Sequence, residues 1–136
     1  MFTFFAFKSN FYSPYSKYND PIYEGDVCEI FITDGQKDHY YEIEVAPNGT
    51  VFFANIINPD TRFKVSLIDE CFAKTKVIRF FKNYFVKIRI PREKIGDGER
   101  YFNAYRIEDQ GEKGLYAFSP TMVDFFHVRD KFAKLK

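Results

Sequence analysis

The segment "HYYEIEVAPNGTVFFANI", residues 39–56, constrains the fold more than any other part of the chain. Alternate residues of an extended strand point to opposite faces, so Tyr41, Ile43 and Val45 fall together on one apolar face. Asn48-Gly49 then supplies the two-residue turn that β-hairpins prefer. The segment therefore predicts two antiparallel strands, with one face of the first strand in a core.

Similar short segments recur about every ten residues, and no segment has a long 3.6-residue period. The chain contains 18 Phe and 10 Tyr, residue types that favour strands. Its 136 residues are enough for one domain, residues 1–136, with a substantial core. We therefore predict an all-β, mainly antiparallel domain, either a β-sandwich or a barrel. The further predicted strands are "FTFFAF" (2–7), residues 26–32, "FKVSLI", "KTKVIRFF", "NYFVKIRIP", "YFNAYRIE" and "LYAFSP", with one helical turn in "PREKIGDGER".

Charge and hydrophobicity limit the classes of partner. The formal net charge is +1, with both signs spread along the chain. Nucleic-acid-binding domains carry a basic patch, and membrane-binding segments carry a basic cluster, so we expect neither partner. The start, "MFTFFAF", is too short for a membrane span and lacks the basic start of a signal peptide. As it stands the sequence predicts a cytoplasmic protein, and an extracellular one if a segment is missing from its start.

Motifs for cofactors and metals are missing. Cys28 and Cys71 are too few for a disulfide scaffold, and are either free core residues or one pair in a secreted protein. The cysteines and histidines are too scattered for zinc, and there is no phosphate-binding glycine loop. The acidic segment "IEDQGEKG", residues 107–114, lacks the alternating ligands of an EF-hand. We expect no cofactor, and a structural calcium ion stays open without a motif to support it.

Glu29 is the most unusual residue of the strand "IYEGDVCEIFI". It falls between Val27 and Phe31 on a face that should be buried, where an ionised carboxylate is costly unless something pairs with it. One interpretation is that Glu29 forms an ion pair with Arg106 or Arg89 and stabilises the sheet. The other is that it binds a ligand.

Paired carboxylates also raise the question of glycoside hydrolysis. Asp26, Glu29, Glu42 and Glu44 fall on two predicted neighbouring strands, but the sequence does not give the separation that this chemistry needs. Glu42 and Glu44, together with Tyr40, are most simply interpreted as the solvent-facing side of a half-buried strand. We therefore expect a protein that is not an enzyme.

Six motifs carry a resemblance to a known family. In order they are "YEGDVCEIFI", "YYEIEVAPNG", "YFVKIRIP", "RYFNAYRI", "YAFSPT" and "FHVRDKFAKL". Together they resemble a family 9 carbohydrate-binding module, in its standalone bacterial form, over roughly residues 15 to 135. The chain departs from the family pattern in three ways: Tyr23 and Phe118 replace two tryptophans, the ending lacks the usual Pro and Gly, and the first strand or strands are missing.

The resemblance implies a jelly-roll β-sandwich that binds an oligo- or polysaccharide without catalysis, often at a reducing-end sugar. In family members two aromatic side chains sandwich a sugar ring, and the matching positions here are Tyr23 and Phe118. The implied polar ligands between them are Glu29, Asn103 and Arg106. Glu44 lies near a further polar position of the family and completes the predicted site.

The replaced tryptophans and the short start support an alternative, a structural or protein-interaction domain that kept the fold and lost sugar binding. The start has a second consequence. Residues 2–7 have apolar side chains on both faces, which predicts a strand that is buried on both faces. No strand precedes it, and an unpaired apolar edge promotes association. We therefore predict a homo-oligomer in which a second copy covers this edge.

Overall fold

The structure is a computed structural model that describes residues 1–7, 10–60, 62–109 and 113–136. Residues 110–112 of the acidic segment "IEDQGEKG" therefore lie outside the described residues. Within these ranges the chain forms short 3₁₀ turns but no α-helix, so the all-β prediction is confirmed. No helix of the described part is long and apolar enough to cross a membrane. The strands are β1 (Phe2–Phe7), β2 (Val27–Thr33), β3 (His39–Val45), β4 (Val51–Ile57), β5 (Lys64–Leu67), β6 (Lys74–Phe80), β7 (Asn83–Arg89), β8 (Tyr101–Asp109), β9 (Lys113–Ala117) and β10 (Ala133–Lys134).

The strands form two antiparallel sheets that pack together as a β-sandwich. The small sheet has the order β1-β7-β6. The large sheet has the order β10-β8-β2-β3-β4-β5, and β9 also pairs with β8. The sandwich interpretation is therefore confirmed, and β2 lies in the middle of the large sheet.

The main core lies between the two sheets. Ile30 of β2 and Ile43 of β3 are directly opposite each other in the ladder, and both are fully buried. They pack in one cluster with Val86 and Ile88 of β7. The apolar face predicted for the first hairpin strand is thus the face that contacts the small sheet.

The predicted hairpin joins β3 to β4 through Asn48-Gly49. Gly49 has a φ of 93°, a left-handed conformation that favours glycine. The Asn48 side chain accepts a hydrogen bond from the Thr50 backbone N–H at 3.0 Å, and its amide donates to the Tyr15 carbonyl at 2.7 Å. The turn therefore sets the register of β3 and β4 and also holds the segment that precedes β2.

The outer face of the large sheet is buried as well. The segments before β2 and after β9 cross it, and their residues Ile22, Phe126 and Phe132 pack against Phe31 and Tyr105. The large sheet thus has a second apolar cluster on the side that faces away from the small sheet.

This burial corrects one prediction. The side of β3 that carries Tyr40, Glu42 and Glu44 was expected to face solvent, but these residues are only 1%, 6% and 1% exposed. The expectation was wrong because alternation identifies two faces of a strand but does not show what covers each face.

Polar side chains hold the two covering segments on the sheet. In the segment before β2, Asn19 accepts a hydrogen bond from the Phe53 backbone N–H at 2.8 Å. Asp26 accepts hydrogen bonds from the Tyr12 and Asp109 backbone N–H groups, both at 2.7 Å. These bonds satisfy backbone groups that β-ladders leave unpaired, which fixes the path of the segment.

Asn103 of β8 has the same role for the segment after β9. It is fully buried, its Oδ1 accepts from the Ser119 N–H at 2.9 Å, and its Nδ2 donates to the Ser119 carbonyl at 2.8 Å. Asn103 therefore pairs with the backbone of this segment as a neighbouring strand would.

The first strand is less buried than predicted. β1 pairs with β7, and Ala6 is fully buried, but Phe5 and Phe7 are 46% and 75% exposed on the outer side. Burial of both faces was therefore a wrong expectation, because nothing in the described chain covers the outer face of the small sheet. Association through this edge stays a prediction.

Both cysteines are free. Cys28 is buried in the main core, and Cys71 is partly buried beside it. Of the two alternatives, the structure supports two unpaired cysteines.

We predict that Asn103→Ala lowers the free energy of unfolding by about 1–3 kcal/mol, because it removes the buried side chain that pairs with two partly buried backbone groups of Ser119. Urea unfolding followed by circular dichroism would measure this change. Asn10→Ala, at an exposed position, is the matched control and should change stability by less than about 0.5 kcal/mol. Equal stability of the two variants would contradict the role given to Asn103.

Candidate functional site

The outer face of the large sheet contains a cavity of about 840 Å³ where the two covering segments do not meet. Its floor is formed by side chains of β2, β3 and β4, and its walls come mainly from the covering segments and from the region around β5. The lining residues are mostly aromatic, aliphatic or acidic. They include Tyr23, Glu29, Phe31, Glu42, Glu44, Phe52, Phe63, Val65, Leu67, Lys113, Phe125, Phe126 and His127.

Three glutamates lie together at the floor. Glu29 of β2 is directly opposite Glu44 of β3 in the antiparallel ladder. Glu42 precedes Glu44 by two residues, so it points to the same face. One carboxylate oxygen from each of the three lies within 4.8 Å of the other two. The register of two strands thus concentrates three carboxyl groups at one point.

Burial shifts the protonation of all three groups. It raises the pKa of Glu29 and Glu44 well above their usual range, and the neighbouring carboxyls raise these values further. Burial also raises the pKa of Glu42, to about 7. The group carries fewer negative charges at neutral pH than three ordinary glutamates would.

Hydrogen bonding satisfies only part of this cluster. Glu42 and Glu44 hydrogen-bond to each other, which requires a proton on one of them. Glu29 Oε1 and Glu44 Oε2 are buried and have no hydrogen-bond partner. Buried polar atoms are normally paired, so these two oxygens mark the place where a ligand would find acceptors.

Glu29 does not form the ion pair that one interpretation assigned to it. Arg106 is the ladder partner of Cys28, so its side chain points to the opposite face from that of Glu29. There Arg106 lies 3.4 Å from Glu108. Arg89 belongs to the small sheet, on the far side of the main core. The structural explanation of Glu29 by either arginine is therefore wrong.

His127 lies beside the carboxyl cluster. Its Nε2 is 4.0 Å from Glu42 Oε1, and its Nδ1 is 2.8 Å from the Tyr40 hydroxyl. Asn58 donates a hydrogen bond to that hydroxyl at 3.2 Å, so the hydroxyl proton is free to go to Nδ1. The Nε2–H of the neutral ring then points towards Glu42. Burial lowers the pKa of His127 to about 4, so the ring is neutral at pH 7 and does not balance the carboxylates.

Aromatic side chains form much of the wall. The ring of Phe63 stacks on His127 with centroids 3.9 Å apart and an interplanar angle of 18°. Tyr23 meets Phe52 edge to face, with centroids 6.0 Å apart. Tyr23 and Phe63 are 44% and 39% exposed, so both present ring surface to an incoming molecule.

The structure brings together only half of the predicted site. Tyr23, Glu29 and Glu44 all line the cavity. Phe118 does not: its ring packs on Phe102 at 5.2 Å, in a second, smaller cavity that Arg106 also lines. Tyr23 and Phe118 therefore do not face each other across a shared gap.

The other two predicted ligands have different neighbours. Arg106 lies near the rings of Tyr84 and Tyr116, with its guanidinium carbon 6.0 and 5.8 Å from their centroids. Asn103 is held by Ser119, as described above. Neither residue lines the cavity that contains Glu29.

Sequence reasoning also missed residues of the cavity. Glu42 was recognised as one of the paired carboxylates but was assigned to solvent. Its two-residue spacing from Glu44 and the Asp34-Gly35 turn between β2 and β3 are signals that could have placed it on the same face as Glu29. Phe63 and His127 reach the cavity from irregular segments, for which the local sequence contains no comparable signal.

The likeness of this chain to known proteins lies in its fold. No protein-family model and no curated protein matches this sequence. The structure is similar to the crystal structure of a "putative carbohydrate-binding protein" from Bacteroides uniformis, with a TM-score of 0.67 and 17% sequence identity. The match covers 97% of this chain and 66% of that protein, so the chain spans slightly less than two thirds of its length. At this identity the likeness shows the fold alone.

The raised carboxyl pKa values predict a loss of stability at alkaline pH. The native state keeps protons that the unfolded chain loses near the ordinary value of 4.5, so stability falls as the pH rises through about 7. The lowered pKa of His127 has the opposite effect, a loss of stability as the pH falls, but this effect is confined to pH values below 6.5. We therefore expect the melting temperature to fall between about pH 6.5 and 8.5, measured in a buffer whose chelator removes metal cations.

Glu29→Gln should remove part of this dependence, because the amide has a similar shape and no charge to bury. We expect it to melt on the order of 5 °C above the wild type at about pH 8. Glu93→Gln, at an exposed site away from the cavity, should follow the wild type. A wild-type melting temperature that stays constant over this range, measured by scanning calorimetry, would contradict the protonation described here.

Proposed function

We propose that this protein is a non-catalytic carbohydrate-binding domain and that the cavity on the outer face of the large sheet is its binding site. The observation that carries the proposal is the pairing of two unsatisfied buried acceptors, Glu29 Oε1 and Glu44 Oε2, with aromatic walls in one cavity. The fold likeness to a protein named for carbohydrate binding supports it at a coarse level.

The chemistry of a sugar suits both parts of this site. A pyranose has apolar C–H faces, which pack on rings such as Tyr23 and Phe63, and a rim of hydroxyl groups. Hydroxyl groups of the sugar can donate hydrogen bonds to the unpaired oxygens of Glu29 and Glu44. A sugar is also uncharged, so it would satisfy the carboxyls without adding negative charge, as an acidic ligand would. The cavity volume of about 840 Å³ lies within the range of small-ligand sites.

The arrangement of the carboxyls supports binding rather than hydrolysis. Glycosidases place two carboxyl groups on either side of the scissile bond, at least about 5 Å apart. Glu29, Glu42 and Glu44 instead point to one face of two neighbouring strands, so their carboxyls lie side by side and not on opposite sides of a bound ring. Such a cluster offers several acceptors from one direction.

We further propose that the domain is a family 9 carbohydrate-binding module. This assignment is supported by the order of the six sequence motifs and by the β-sandwich fold. The proposed site keeps three residues of the family-derived set, Tyr23, Glu29 and Glu44, and replaces the second aromatic platform by residues such as Phe63. The sugar would therefore bind in the large cavity beside Tyr23, and not between Tyr23 and Phe118.

We predict weak binding of cello- or xylo-oligosaccharides, with a dissociation constant on the order of 0.1–1 mM, because stacking and a few hydrogen bonds must offset the ordering of a flexible ligand. Tyr23→Ala should weaken this binding roughly three- to tenfold by removing a stacking surface. Titration calorimetry, guided by a glycan array, would measure both values.

Phe118→Ala is the matched control, since it also removes an exposed ring but from the other cavity, and it should leave the affinity within about twofold. The opposite result, with Phe118→Ala weakened and Tyr23→Ala unchanged, would assign the sugar to the second cavity. Absence of binding to every glycan on the array would instead favour the alternative of a structural or protein-interaction domain.

A further inference from the structure

The geometry of the carboxyl cluster also suits a metal cation, and this fit does not depend on a sugar. Glu29, Glu42 and Glu44 each contribute an oxygen to a group that spans no more than 4.8 Å. Ca²⁺ binds carboxylate oxygens at roughly 2.3–2.6 Å, so two oxygens on one ion lie up to about 5 Å apart. The three oxygens can therefore contact one ion together with little movement of their side chains.

The buried oxygens without partners are an independent indication of a ligand. Glu29 and Glu44 are 2% and 1% exposed, and Glu29 Oε1 and Glu44 Oε2 lack hydrogen-bond partners at the cavity floor. Both atoms are buried, and the residues that carry them line the cavity of about 840 Å³, which is large enough for an ion with its remaining ligands. An acidic cluster alone would not indicate a metal, but buried acceptors without partners need a donor or a cation.

In the part of the chain that the structure describes, no lysine or arginine side chain neutralises these carboxyl groups. No lysine or arginine there forms an ion pair with any of the three glutamates. Lys113 lines the cavity, but it is exposed. His127 approaches only Glu42, with 4.0 Å between Nε2 and Oε1.

From this geometry we propose that Glu29, Glu42 and Glu44 bind one Ca²⁺ ion at the floor of the cavity. The donors are hard oxygen atoms, which suit Ca²⁺ and Mg²⁺. Ca²⁺ accepts six to eight oxygens in irregular geometry, whereas Mg²⁺ requires a near-ideal octahedron and gives up its water reluctantly. The three side chains approach the ion from the sheet, so its other positions face the cavity, where water would complete the coordination.

The site has no sequence motif because its ligands come from two strands. EF-hand loops take their ligands from one short segment with a fixed spacing. Here residue 29 joins residues 42 and 44 only through the register of β2 and β3. This explains how a metal site can be present in a chain for which no cofactor was expected.

The test is a calorimetric titration of chelator-treated protein with CaCl₂ at pH 7.5, with no sugar present. We expect one ion per chain, with a dissociation constant on the order of 10⁻⁴ M or tighter, and a rise of several degrees in melting temperature at saturation. MgCl₂ should bind at least about tenfold more weakly. Because sugar is left out, failure of the sugar proposal would not alter this result.

Glu29→Gln and Glu42→Gln should each weaken Ca²⁺ binding at least about tenfold while the variants stay folded, since the amide has a similar shape and fewer charges are buried. Glu93→Gln should bind Ca²⁺ as the wild type does. The proposal would be overturned if Ca²⁺ up to about 10 mM neither binds nor stabilises the wild type, since weaker sites are outside the usual range. It would also be overturned if Glu29→Gln and Glu42→Gln bind Ca²⁺ as tightly as the wild type.

Discussion

The burial of β2 on both faces is the constraint on which the rest of this structure depends. All residues from Val27 to Thr33 are buried, although the strand contains a glutamate. One face is covered by the small sheet in the ordinary manner of a β-sandwich. The other face has no second sheet and must be covered by irregular segments. Side-chain hydrogen bonds of Asn19, Asp26 and Asn103 hold those segments on the sheet.

Irregular segments cover this face less completely than a second sheet would, and they leave a cavity. The three glutamates of the sheet lie at the floor of that cavity. Each buried ionised carboxylate costs several kcal/mol after relaxation, while a domain of this size has a total stability of about 5–15 kcal/mol. Three uncompensated charges at Glu29, Glu42 and Glu44 would therefore use up most of the stability. The group must carry protons, bind donors or hold a cation, and each of these states has a chemical consequence for the cavity.

The fold likeness and the cavity support different parts of the functional argument. A shared β-sandwich does not define a ligand, because one fold supports many functions. The acceptors, the aromatic walls and the volume of the cavity define the chemistry of the proposed ligand, whichever family the chain belongs to. The proposed sugar site and the proposed calcium site share the same floor, but the proposed sugar site also needs the rings of Tyr23 and Phe63. The two properties can therefore be separated by substitution.

The sequence by itself determined the strands, the hairpin at Asn48-Gly49 and the unusual position of Glu29, because alternation and turn chemistry are local properties. It also identified Tyr23, Glu29 and Glu44, which share the large cavity. Only the tertiary structure decided that the face of β3 with Glu42 and Glu44 is buried, that Arg106 and Phe118 belong to another cavity, and that His127 and Phe63 join the first. The physical reason is that the alternation of a strand defines its two faces but does not show which segments cover each face. Each face is covered by segments that are distant in sequence, and hydrogen bonds such as those of Asn19 and Asn103 set the paths of these segments.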